Sequence, residues 1–196
     1  MHKNKYCYIK LLYTHFFFEY CVQFWSPSLV KDVNLLEKVQ RRATRMIPEL
    51  RKLSYEDRLK KTGLFSLTRR RIRGDLIQTF KFFKGIDRVK FTDMFQLRNN
   101  PSLRGHSATI HKQQCTRRVK QDFFTNRVVK YWNLLPEEAL HVGTVDTFKK
   151  YVDKLLNEKN IWQKIMKMGS LYEYYEFRLP IFMIFLPYIY IFQKLM

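Results

Sequence analysis

Apolar residues recur at steps of three and four through the middle of the chain, and this spacing predicts helices. Leu29, Val33, Leu36, Val39, Ala43 and Met46 line one side of a first helix. Trp25-Ser26-Pro27-Ser28 precedes it. Pro27 suits a first turn there and Ser28 a cap, while Pro48 stops the helix. A short second helix is expected from the Ser54 cap to Thr62, with acids in its first turn and Gly63 as a left-handed stop. A third runs from Leu67 to Lys84 and ends at Gly85, with Ile72, Leu76, Phe80 and Phe83 on its apolar face. Gly74 inside it costs about 1 kcal/mol relative to alanine, so a close helix–helix or helix–backbone approach is expected there. Periodicity fades from Lys90 to Arg118, where Asn99-Asn100-Pro101-Ser102 reads as a loop and Thr109 to His111 as a short strand. It resumes near Val119 with Phe124, Val128, Tyr131 or Trp132, and Leu135 facing inward, and Arg127 and Lys130 outward. Pro136 ends that helix. Thr144 caps a last one, with Phe148, Val152, Leu155 and Leu156 on its inner face.

Charge adds a second layer to this pattern. Lys and Arg number 37 against 17 Asp and Glu, giving a formal net charge of +20 and a pI of about 10.0. Such a surplus attracts polyanions, nucleic acid above all. It is concentrated: Lys31 to Lys90 holds eighteen cations and seven acids. Lys38, Arg41, Arg42 and Arg45 form one basic surface at helical spacing. Arg69, Arg70, Arg71 and Arg73 crowd the start of the third helix, where positive charge is unfavourable by about 0.3–1 kcal/mol per exposed residue, which hints at an external partner. Arg117, Arg118 and Lys120 form a further set. The hydrophobic fraction of 46% is enough for a real core, so wholesale disorder is not expected.

Other chemistry is absent. The acids are dispersed and form no pair on a strand-turn-strand pattern, so a two-metal polymerase or nuclease centre is not expected. No phosphate-binding glycine loop, HExxH or GxSxG motif occurs. His106, His111 and Cys115 lack a fourth metal ligand and read better as loop residues. No metal, cofactor or small-molecule substrate is implied. Cys7, Cys21 and Cys115 form no CxxC pair, which points to a reduced intracellular chain, nuclear or cytoplasmic. The N-terminal apolar run lacks a cleavage site and is not read as a signal peptide. The stretch from Leu179 to Phe192 is apolar but short for a bilayer span and contains Pro180 and Pro187.

A set of segments taken in order is more specific than any of these patterns. Glu19-Tyr20-Cys21, Trp25-Ser26-Pro27 and Leu35 to Arg45 come first. Leu53 to Leu59, Gly63-Leu64, Arg69-Arg70-Arg71 and Arg73 to Ile77 follow. Arg104-Gly105-His106-Ser107, Phe123-Phe124 to Val129, Trp132 to Pro136 and Phe148-Lys149 complete the series. Together they resemble the region after the catalytic palm in non-LTR (LINE-type, jockey-like) retrotransposon reverse transcriptases, over residues 19 to 156. The resemblance implies a thumb and connecting region that grip a template-primer duplex. The family's catalytic Asp-Asp motif falls outside the matching segments, so its polymerase activity is not carried over.

The expectations are therefore a mainly α fold with one short β element and irregular tails. Four zones are expected: a tail at 1–18, a thumb-like segment at 19–90, a connecting region at 91–158 and an apolar tail at 159–196. The two tails read as flanking genomic sequence translated in frame. The expected function is a catalytically incomplete polymerase fragment that binds RNA or an RNA–DNA hybrid without sequence choice. Lys38, Arg41, Arg42, Arg45, Arg69, Arg70, Arg71, Arg73, Arg117 and Arg118 are the expected contacts. The alternatives are a functionless translated relic, or a small basic protein held at a membrane by residues 179–196.

Overall fold

The apolar stripe at residues 29–46 folds as a helix over Val30–Arg45, α1, in the computed structural model, which describes residues 20–98 and 105–158 together with Ile161, Gln163 and Ile165. The N-terminal tail, the Asn99 to Ser102 loop and the apolar 179–196 segment lie outside the described residues. Leu29 occupies the α1 N-cap in place of Ser28 and gives no side-chain cap. Asp32 in the first turn supplies the charge that suits a helix start. At the other end Ile47 is extended, as a residue before proline must be, and Pro48–Leu50 forms a single 3-10 turn. Helix α2, Tyr55–Thr62, follows the expected bounds. The Ser54 hydroxyl accepts from the Asp57 amide at 3.2 Å, and Gly63 adopts φ 67°, the left-handed region glycine enters without penalty. Helix α3, Leu67–Phe83, also stops at a left-handed glycine, Gly85.

The described residues gather into two compact units, one running to Arg70 and one from Arg71 onward. The division falls inside α3, whereas the sequence placed a boundary near residue 90. In the first unit Ala43, Ile47 and Leu50 form a small core, with Leu53 and Leu64 packed against it.

The second unit is built on aromatics. Phe80 stacks on Phe148 with centroids 4.0 Å apart, and Phe82 meets Phe124 edge-on at 6.3 Å. Trp132, fully buried, lies edge-on to Phe83 at 5.8 Å. Five further short helices belong to this unit: α4, Phe91–Met94; α5, Arg118–Asp122; α6, Phe124–Arg127; α7, Val129–Trp132; and α8, Glu138–His141; all but α5 add side chains to the core. Helix α9, Val145–Asn157, begins at the expected cap, where the Thr144 hydroxyl accepts from the Thr147 amide at 3.1 Å. Phe148, Val152 and Leu156 of α9 are buried, and Ile161 and Ile165 extend the same core beyond the expected limit at 158.

Two expectations are corrected here. The continuous helix from Val119 to Leu135 is instead α5, α6 and α7. Phe123 is extended between the first two, and the Asn126 and Arg127 side chains donate to the Lys120 and Asp122 carbonyls. Those side chains satisfy carbonyls that a continuous helix would have bonded. The expected strand at Thr109 to His111 is one isolated antiparallel bridge, Leu97 to Ile110, and no strand occurs among the described residues. The protein is mainly helical, as expected.

Candidate nucleic-acid interface

At 100° per residue, Lys31, Asn34, Lys38, Arg41, Arg42 and Arg45 fall on one side of α1, and neither acid of the helix does. All six are exposed. Over about 1.5 Å of rise per residue the strip is roughly 21 Å long. None of its five cations forms an ion pair among the described residues.

The opposite side of α1 is not wholly apolar. Glu37, Gln40 and Thr44 are buried beside Leu36, Val39 and Ala43. The Glu37 carboxylate accepts from the Tyr55 phenol and, at 3.1 Å, from the Leu67 amide at the start of α3. The Gln40 carboxamide donates to Tyr55 Oη at 2.9 Å and to the Phe65 carbonyl at 3.0 Å, and accepts from the Arg70 guanidinium. Thr44 accepts from Arg58 Nε at 3.2 Å, and Arg58 Nη1 donates to the Leu53 carbonyl at 2.9 Å. Burial, then the Glu37 hydrogen bond, push the Tyr55 hydroxyl far above the usual phenol range, so it stays a neutral donor. Two guanidinium groups approach its ring: Arg41 at 4.5 Å and Arg58 at 5.6 Å from the centroid.

The arginine run at the start of α3 departs from expectation. Arg70 and Arg71 are buried, and Arg69 is half-buried over the Phe65 ring at 5.5 Å. Arg73 makes a two-pronged pair with Asp153, one contact at 2.9 Å. Glu37 at the start of the helix and Asp75 about two turns on offset the positive charge that looked unfavourable from sequence. Arg70 and Arg73 thus each meet an acceptor inside the protein, Gln40 and Asp153. Arg117 is exposed, and the Arg118 side chain lies outside the described residues.

Arg127 and Lys130 were expected to face outward. Arg127 instead pairs with the buried Asp75 through two bonds of 2.8 and 2.9 Å. Burial drives the Asp75 carboxyl upward, while Arg127 and then Arg71 pull it back. Lys130 is half-buried with its ammonium 4.7 Å from the Tyr131 centroid, and burial lowers it. Gly74 also departs from expectation. A Cβ built there meets nothing within 4 Å, so no close approach accounts for it.

Two of the segments that carried the family resemblance, Gly105 to Ser107 and Trp132 to Pro136, meet in the second unit. His106 Nε2 donates to the Trp132 carbonyl and Trp132 Nε1 to the Ala108 carbonyl, each at 2.9 Å. Asn133 bonds both the amide and the carbonyl of Ile110 at 2.8 Å. Glu137 accepts from the Ser107 amide and hydroxyl at 2.8 and 2.7 Å. These residues tie a loop to the core. His106 is buried there, while His111 is exposed and Cys115 half-buried; no metal-binding cluster of three or more such side chains occurs among the described residues. No helix of the described residues is long and apolar enough to cross a membrane.

Sequence reasoning missed Glu37, Gln40, Thr44 and Tyr55. A signal was present: Glu37, Gln40 and Thr44 recur at steps of three and four along the flank of the apolar stripe, the spacing of an inward polar ridge. No protein-family model, curated protein or solved structure matches the chain.

Proposed function

We propose that the chain is a catalytically incomplete fragment of a non-LTR retrotransposon RNA-directed DNA polymerase, which holds a nucleic-acid duplex without sequence choice. The exposed, acid-free basic side of α1 carries this reading. Side chains of this kind neutralise backbone phosphates and release counterions, so the affinity they confer is independent of sequence and steep in salt. The ordered segments from Glu19 to Lys149 supply the family part of the reading. The apolar residues at α1's surface favour nucleic acid over lipid: Val30 is its one exposed large apolar side chain, too little for insertion into a bilayer.

The test is binding of the full chain to a labelled RNA–DNA hybrid across a salt series, beside Arg41→Ala/Arg42→Ala/Arg45→Ala. Arg70 and Arg71 are kept, because their removal would disturb the interior. Binding that weakens steeply with salt is expected, with the log–log slope reduced by about one per phosphate contact removed. A folded chain that ignores the hybrid at low salt would overturn the proposal.

A further inference from the structure

Five cations share the exposed side of α1, but among the described residues only Arg41 has an aromatic platform. Its guanidinium lies over the Tyr55 ring, and that ring is held in place from below. The phenol donates to Glu37 and accepts from Gln40, and Gln40 is itself fixed by Phe65 and Arg70. Arg58 approaches the same ring and is anchored to Thr44 and Leu53. The whole arrangement belongs to the first compact unit.

A free arginine side chain loses much rotamer freedom when it grips a phosphate, and one already set against a ring has lost part of it beforehand. A guanidinium that meets a ring through its π face keeps its in-plane N–H edge available for two parallel bonds to phosphate oxygens. Lysine cannot do this, because its ammonium is a point charge without a plane. From this geometry we infer that Arg41, positioned by Tyr55, is the anchoring phosphodiester contact of the basic surface, with Lys38, Arg42 and Arg45 acting as interchangeable charges around it. Tyr55 is a positioning residue that does not itself touch the ligand. The inference rests on the nucleic-acid reading above and assigns unequal weights within it.

The experiment uses the full chain and a mixed-sequence RNA–DNA hybrid at several salt concentrations, with folding followed by circular dichroism. Arg41→Ala and Arg42→Ala each remove one exposed charge from one face, so both lower the salt slope by about one. Arg41→Ala is expected to weaken binding at least tenfold more than Arg42→Ala. Arg41→Lys, which keeps the charge, is expected to lie nearer to Arg41→Ala than to wild type. Tyr55→Leu should weaken binding in the wild-type background and add nothing in the Arg41→Ala background. A purely structural role for Tyr55 would instead weaken both backgrounds equally.

Equal losses for Arg41→Ala and Arg42→Ala, with wild type binding normally, would overturn the anchor while leaving the nucleic-acid reading intact. Full rescue by Arg41→Lys would do the same, and it needs no Tyr55 variant to fold. A wild type that does not bind the hybrid overturns both. Tighter binding to phosphatidylserine–phosphatidylcholine vesicles than to the hybrid, unaffected by Tyr55→Leu, also counts against both.

Discussion

Asp75 and Arg127 stand 52 residues apart and meet in the second unit, both largely shielded from water. Removing one partner of such a pair strands a charge in a poorly solvating interior. Arg127→Ala is therefore expected to lower the unfolding free energy by about 3–5 kcal/mol, measured by urea denaturation at neutral pH. Burial raises the Asp75 carboxyl in the folded state, and loss of Arg127 raises it further. A group raised in this way contributes its stability below its unfolded value and loses it as pH rises through its folded value. The deficit of Arg127→Ala should accordingly shrink as pH falls from neutral toward the ordinary carboxylate range. A deficit that stays constant with pH would show that Asp75 remains ionised throughout. Asp75 sits three residues after Ile72 and one before Leu76, on the inward side of α3, so its burial was legible. The identity of its partner was not, because 3.6-residue periodicity says which side faces inward and nothing about what arrives from elsewhere in the chain.

At the scale of elements, the ends of helices were the most legible feature. Ser54, Gly63, Gly85 and Thr144 each do what local chemistry demands, because a cap or a left-handed turn is completed by neighbours within a few residues. Gly74 is the exception in α3. With open space around its missing side chain and a helical backbone, Gly74→Ala is expected to raise stability by up to about 1 kcal/mol, read as a shift in denaturation midpoint. A loss of stability would reveal a contact at that position. The same locality explains the error at Val119 to Leu135. The apolar spacing there fits one long helix, but Asn126 and Arg127 satisfy the Lys120 and Asp122 carbonyls through side chains, which breaks the element at Phe123. A period of 3.6 cannot register a side chain that competes for backbone acceptors.

At the scale of the whole molecule, the loop from Gly105 to Ile110 is held to the second core by Trp132, Asn133 and Glu137. Glu137 is exposed, and the Ser107 hydroxyl and amide, followed by His141, keep its carboxyl below the usual range. A lowered carboxylate contributes its stability above its unfolded value and loses it as pH falls through its folded value. The protection of the Ser107 amide against hydrogen exchange, taken relative to an unstructured amide at the same pH, should therefore be high at neutral pH and fall below the ordinary carboxylate range. Glu137→Gln should be poorly protected at both, and a variant as protected as wild type would show that Trp132 and Asn133 hold the loop unaided.

The amino-acid sequence by itself determined the helical class, the caps of α2 and α9, the glycine stops after α2 and α3, and the basic side of α1. Each follows from residues less than two turns apart, where covalent geometry and hydrogen bonding leave few options. Only the tertiary structure decided which basic side chains beyond α1 turn inward. Lys38, Arg41, Arg42 and Arg45 stay outside, while Arg70, Arg71 and Arg127 turn inward. A guanidinium stays buried only where acceptors are waiting for it, and Gln40 and Asp75 reach Arg70 and Arg127 across 30 and 52 residues of chain.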